Sequence, residues 1–389
     1  MPTFQSFYRG LLEPRTLFSA LFCTGIFYLY ACSGEFDSSD SYADRSPVEL
    51  TEIMRLGNEA QGDTVLFGNI RSMAINSAGQ LIVGDSKSSD VYVFSSDGDL
   101  EGHFGGKGGG PGEFEWMENA VVGPGDSLFV FDWMHRRISA FDPDTYQFKY
   151  SVTLESNGAQ SPGDLIDVTE QGFVIRYNRV INPSELSAYD SQDKVMTSVM
   201  RVDWHGEPAD SILGLRLSTA LVAADRSMII ARPFARNSMV RPGPGGILYS
   251  GWNDSIHIEK TGVDGQPHGA LRMTHDPMPV TWEDLEDVMK GRDEKGRQMI
   301  QDANLSTTWP AYRTFVVDDE HRVWVQLYHP KDASIAEAII IGAEGFVDGE
   351  VELPVGVILM AVRSGRAYGK FEDPQTGAPL VVGYEISGL

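Results

Sequence analysis

Two stretches of the chain align without a gap at an offset of 47 residues, and this repeat constrains the fold more than any other feature. Gln80-Leu81-Ile82-Val83-Gly84-Asp85 through Phe94 matches Ser127-Leu128-Phe129-Val130-Phe131-Asp132 through Phe141. Leu81 falls on Leu128, Asp85 on Asp132, Val91 on Ile138, Phe94 on Phe141 and Asp97 on Asp144. Each copy is a β run, a polar turn, a second β run with alternating faces, and an Asp-containing turn. A period of about 45 residues with about four strands per unit is the pattern of propeller blades.

Fainter copies follow. Gly172 to Ile175 with Leu186 to Lys194 gives a third unit, and Leu221 to Ile230 with Gly246 to Lys260 a degenerate fourth. Tyr312 to Val325 opens another, and the last strands run Val355 to Val362, Arg366 to Phe371 and Leu380 to Ile386. That final unit lacks an outer strand, while Val48 to Leu56 is a strand without a blade. Pairing the two removes both exposed sheet edges. The expectation is therefore an all-β, six-bladed β-propeller over 48–389, with the N-terminal strand closing the last blade; five or seven blades are the alternatives. The 41 Gly and 20 Pro suit its many tight turns.

One interruption is helical. Thr281-Trp282-Glu283-Asp284 resembles a capping box, and Leu285, Val288 and Met289 recur at helix spacing. This predicts a helix over about 281–301, within an irregular insertion from 262 to 311. Its charged face (Glu283, Asp287, Lys290, Asp293, Glu294) reads as solvated surface.

Thr16 to Ala31 carries no charge and follows Arg9 and Arg15. It is shorter than the roughly 20 residues a membrane span needs, and fits the apolar region of a signal peptide. The run ends Leu29-Tyr30-Ala31-Cys32, which resembles a bacterial lipobox and implies a signal peptide over 1–31, lipid attachment at Cys32 and a polar tether over 32–47. Cys23, the other of two cysteines, lies inside that signal. The remaining body has no thiol, which excludes disulfides, thiolate catalysis and Cys-ligated zinc. A net charge of -24 argues against nucleic acid as a partner and leaves membrane attachment to the acyl chains.

Ile70 to Phe114 reads as a strand, an Asp turn, a V-x-V-F strand, a D-G turn and a terminal glycine-rich loop. It resembles an NHL-type repeat, and more closely the chain is similar to the six-bladed β-propeller lipoproteins of bacterial envelopes, NHL-like or TolB-like. The resemblance implies fold and compartment, the periplasmic face or outer membrane, more than chemistry, because propellers host lyases, lactonases, sensors and scaffolds alike.

Local motifs for chemistry are sparse. Gly105 to Phe114 matches no phosphate-binding pattern and reads as an inter-blade linker anchored by Phe114. Asp85 and Asp132 are candidate cation ligands, but their equivalent positions, like those of Asp97, Asp144 and Asp318, suit turn capping better. The eight histidines form no H-E-x-x-H or H-x-H pair, and no G-x-S-x-G elbow occurs. His135-Arg136-Arg137 is a compact cationic cluster, expected to pair with local Asp. The resulting expectation is a binding or scaffolding module with no cofactor and an envelope protein or glycan as partner. Its candidate surface is Trp282, Trp309, His135, Arg136 and Arg137. The alternative is a hydrolase or lyase with a divalent cation such as calcium in the central funnel.

Overall fold

The computed structural model describes residues 48–58, 63–179, 196–218 and 220–389; the expected signal peptide, Cys32, the tether and Leu186 to Lys194 lie outside them. The described residues form six four-stranded antiparallel sheets. Blade one comprises Ile70–Ile75, Leu81–Asp85, Asp90–Phe94 and Leu100–Gly105; blade two comprises Met117–Val122, Leu128–Asp132, Arg137–Phe141 and Phe148–Thr153. Blade three comprises Gln160–Thr169, Gly172–Arg179, Met196–Val202 and Pro208–Arg216; blade four comprises Ser238–Gly243, Ile247–Trp252, Ile256–Gly262 and Pro267–Met273. Blade five comprises Thr314–Val317, Val323–Gln326, Ile335–Ile341 and Val347–Pro354. Blade six takes Ile358–Arg363, Arg366–Glu372 and Pro379–Ser387 from the end of the chain and Glu49–Leu56 as its outermost strand.

Burial follows position in the blade. The second strands are covered on both faces, so Leu81–Asp85 and Leu128–Asp132 are buried at every residue and read as continuous apolar runs. The outer strand Leu100–Gly105 buries only Phe104. Six apolar clusters fill the spaces between sheets, one for each pair of neighbouring blades. Between blades one and two, for example, Ile82, Val91 and Phe104 pack on Leu128, Val130 and Phe141.

The closing strand pairs antiparallel with the last, from Glu49 opposite Ser387 to Leu56 opposite Val381. Met54 joins Ile70, Tyr368 and Val381 in the cluster between blades six and one, and Val48 reaches the cluster between five and six.

Three expectations need correction. The run from Leu221 to Ile230 is not part of blade four; Ala220–Val222 and Ile229–Ala231 form a separate two-stranded sheet. Its strands are too short to span a blade, and the core position belongs to Val240 on Ser238–Gly243. Pro267–Met273 is the outer strand of blade four, so the irregular insertion begins after Met273 rather than at 262. The expected helix is broken into α1 (Trp282–Met289) and α2 (Glu294–Gln301). Gly291, at φ 72°, turns the chain between them, and Asp293 caps α2 by accepting from the Gly296 N–H at 2.8 Å. The Thr281–Asp284 capping box forms as expected. Neither described helix is long and apolar enough to cross a membrane.

Because each sheet alternates strand direction and every blade starts at its innermost strand, all inter-blade connections emerge on one face. The turns between second and third strands emerge there too, and the remaining turns lie on the opposite face. The 220–231 sheet, both helices and the glycine-rich loop thus share one insertion face. Removing residues 48–56 should cost about 4 kcal/mol or more, from the buried Val48 and Met54 side chains and a freed sheet edge. Chemical denaturation of the truncated chain, with size-exclusion chromatography to detect edge-driven association, checks this.

Candidate functional site

The insertion face is held in shape by acidic latches. Asp85 ends the second strand of blade one and accepts from the N–H groups of Gly68 (2.7 Å), Asn69 (2.8 Å) and Lys87 (2.9 Å). Asp132 does the same in blade two, with Glu115 and Trp116 (3.1 Å each) and Met134 (3.2 Å). In blade four Asn253 takes the place, accepting from Asn237 N–H at 2.6 Å and donating to the Tyr312 carbonyl at 3.1 Å. Each latch ties the loop entering an innermost strand to a neighbouring turn. On the other face Asp318 accepts from the N–H groups of Glu320 and Arg322, the Arg322 guanidinium and the Trp324 indole. Asp97 and Asp144 do not cap their turns. Ser95 Oγ accepts from Asp97 and Asp99, while Asp142 accepts from Asp144 and Thr145. The Thr145 N–H, with Lys149, holds the Asp142 carboxyl down at about 2.

His135-Arg136-Arg137 is absorbed by local structure. His135 Nδ1 lies 2.6 Å from Asp132 Oδ2, and Arg136 donates to Ser156 Oγ at 2.9 Å. Arg137 donates to the carbonyls of Gly109, Gly110 and Glu113, and so pins the glycine-rich loop. Gly105 has φ 109° and a Cβ there would stand 2.6 Å from the Ser89 carbonyl, while Phe114 is fully buried at the loop's end. Trp309 packs its ring on Phe234 and Tyr328 and donates to Asp284 at 3.2 Å, fastening the helical insertion to the blades. Trp282, by contrast, is 70% exposed.

A channel of about 770 Å³ follows the axis, lined by the innermost strands of all six blades. Its wall carries Arg71, Glu118, Asp164, Arg176, Arg241 and Lys370. Arg71 pairs with Glu118, and Arg176 Nη2 lies 3.1 Å from Asp164 Oδ2. Among the described residues Arg241 forms no ion pair at contact distance, although Asp164 attracts it electrostatically; its guanidinium donates to the Val240 carbonyl (2.9 Å), the Phe315 carbonyl (3.2 Å) and Thr314 Oγ1 (3.3 Å). The Lys370 side chain makes no hydrogen bond or ion pair among the described residues, and burial together with Arg71 and Arg313 pushes its ammonium below the usual lysine range. Burial raises the Asp164 carboxyl, with Arg176 opposing and Glu118 reinforcing. Among the described residues no three His, Cys, Asp or Glu side chains gather as a metal-holding group.

None of these six wall residues is marked by a local motif. One signal was available: Arg71 and Glu118 stand 47 residues apart, at the same place in adjacent repeats. The exposed pair Trp116 and Trp133, with ring centroids 6.0 Å apart at the latch of blade two, also escapes local pattern reading. A second cavity, of about 470 Å³, is lined by Phe234, Asn237, Trp309 and Tyr328.

Two substitutions test this construction. Asp85→Asn leaves one acceptor facing three N–H donors and should cost about 2–3 kcal/mol in urea denaturation. Asp167, also on the channel wall, is pushed up to about 6 by burial. A raised carboxyl means the folded chain binds the proton more tightly than the unfolded one, so stability is lost as pH rises through about 4 to 6. Asp167→Asn should therefore be more stable than wild type at pH 7.5, with the gap closing as pH falls toward about 4; a gap independent of pH would refute this assignment.

Comparison with known proteins agrees with the architecture. Residues 61–183 match a family model described as a 6-bladed beta-propeller. The chain is similar to a protein described as exported from Bacteroides fragilis, at 14% identity and a TM-score of 0.52, over 88% of this chain and 97% of that one. It is also similar to a DUF4221-family protein from Bacteroides vulgatus, at 11% identity and a TM-score of 0.51, over 89% and 100%. No curated protein matches. At such identities the likeness establishes the fold, and the fold is a six-bladed β-propeller.

Proposed function

We propose that this chain is an exported, lipid-anchored binding module of the bacterial cell envelope that engages its partner on the insertion face. The observation that carries this reading is convergence. The 220–231 sheet, both helices and the exposed side chains of Trp116, Trp133 and Trp282 all stand on one face of the propeller. Recognition concentrates on loops presented by a rigid scaffold, and aromatic side chains left in solvent are its usual anchors. The lipobox-like Cys32 and the similarity to an exported Bacteroides protein support the compartment. No side chain on the channel wall is a thiol or is paired as an activated hydroxyl nucleophile, which favours binding over turnover.

A photo-crosslinking residue at position 133, on the insertion face, should capture a specific envelope component in intact cells; one at position 97, on the opposite face, should not. Fatty-acid labelling should mark the wild type and leave Cys32→Ser unmarked. Capture at 97 alone would overturn the site, and equal labelling of both chains would overturn the anchor.

A further inference from the structure

The walls of the second cavity come from segments far apart in the chain that side chains clamp together. One wall is the connection into blade four, from Ser218 to Asn237; the other is the stretch after α2 that carries Trp309, joined by Tyr328 from a turn of blade five. All of these belong to loops of the insertion face. The Arg236 guanidinium spans the seam, donating to the Phe234 carbonyl (3.0 Å), Ser306 Oγ (2.8 Å), the Thr308 carbonyl (2.8 Å) and Thr308 Oγ1 (2.7 Å). Lys295 on α2 pairs with Asp225 at 2.6 Å, and Lys331 pairs with Asp287 on α1. The clamped walls keep open about 470 Å³, within the roughly 300–1,000 Å³ of small-molecule sites.

The lining is aromatic with two uncommitted polar groups. Trp309 meets Phe234 at 4.9 Å between ring centroids and 74° between planes, and Tyr328 at 4.8 Å and 40°. Its indole N–H is taken up by Asp284, so the ring acts as an apolar wall. The Tyr328 hydroxyl and the Asn237 side-chain amide make no hydrogen bond among the described residues. Burial raises the Tyr328 hydroxyl above its usual range, so it stands neutral, able to donate and to accept. Asn253 holds the Asn237 main chain, accepting from its N–H at 2.6 Å and donating to its carbonyl at 3.1 Å. Among the described residues no carboxylate lines the cavity, and the cation that does, Arg232, donates to the Asn304 carbonyl at 3.1 Å.

We propose that this cavity binds a neutral sugar unit of a glycan, its C–H face against Trp309 and Tyr328 and its hydroxyl groups on the Asn237 amide and the Tyr328 hydroxyl. This deepens the binding-module reading and rests on it. A sugar ring is apolar on its faces and polar at its rim, and this lining has both characters: rings to cover the C–H groups, and an amide and a phenol that each donate and accept. A wholly apolar ligand would leave the amide and the phenol unpaired. A cation would meet no carboxylate. A flat aromatic ring stacks best between parallel walls, and the rings here are already in contact and inclined to one another.

The test titrates the full chain, held in a sugar-free detergent, with cellobiose, maltose, lactose and diacetylchitobiose, and with indole as a flat apolar probe, by saturation-transfer NMR. At least one disaccharide should bind with a Kd of about 1 mM or tighter, its ring C–H protons receiving the strongest transfer. Asn237→Ala and Tyr328→Phe should each weaken that binding about threefold to tenfold. Both should melt no lower than wild type, because neither side-chain polar group is bonded within the described protein. Lys107→Gln, an exposed lysine on the glycine-rich loop, should bind as wild type does. Transfer to none of the disaccharides at about 20 mM, transfer unchanged in both cavity variants, or transfer to indole alone overturns the sugar site. Crosslinking from position 133 separates this from the broader reading: capture that persists while no disaccharide binds sinks the sugar site and leaves the binding module standing.

Discussion

Neighbouring blades share no backbone ladder, and everything else in the molecule follows from how side chains replace it. The sheets meet face to face through six apolar slabs, which are strong but have no direction. Direction comes from polar side chains that bridge one blade to the next near the axis. Ser72 accepts from Ala120 N–H at 2.9 Å, Asn119 donates to the Leu165 carbonyl at 2.6 Å, and Arg241 reaches blade five. Gln326 donates to Val357 and accepts from Leu359 in blade six, and Arg363 returns to the Ile75 carbonyl of blade one at 3.0 Å. Between blades three and four the apolar cluster of Ile166, Val174, Val240 and Leu248 meets an electrostatic attraction between Asp164 and Arg241.

The same arrangement explains why the axis is polar. Each innermost strand has one edge paired within its blade and the other turned toward the channel, where its N–H and C=O groups need water or side-chain partners. An apolar axis would strand them. A polar axis admits charged residues as well, and the innermost strands of every blade but the fifth contribute one or two each. The site is thus a by-product of closure that selection can fill with any chemistry.

Legibility follows the same division. The blades were readable because Asp85 and Asp132, Leu81 and Leu128, Phe94 and Phe141 recur at a fixed interval, and repeated packing demands repeated residues. Closure was readable because Val48 to Leu56 had nothing else to pair with. Blade four was misplaced because a short apolar hairpin at 220–231 mimics a blade strand, and periodicity alone does not tell which apolar run reaches the core. Asp97 and Asp144 were assigned to turns that Ser95 and Asp142 hold, a shift of two residues invisible without backbone geometry. The channel charges were the least legible. Arg71, Glu118, Asp164, Arg241 and Lys370 come from five different blades, and no short window of sequence contains more than one of them.

The closing strand sets the order in which this molecule is able to mature. Glu49 lies at the start of the propeller and its partner Ser387 at the end of it, so the ring shuts only after the third strand of blade six has been synthesised. The entropic cost of so long a loop grows only slowly with length, which makes the contact affordable at equilibrium but late in time. Until then blade six has an open flank, Met54 has no pocket, and a chain truncated before residue 379 is left with a waiting strand and no place to dock it. Completion of the fold therefore doubles as a check that every blade of the propeller has been made.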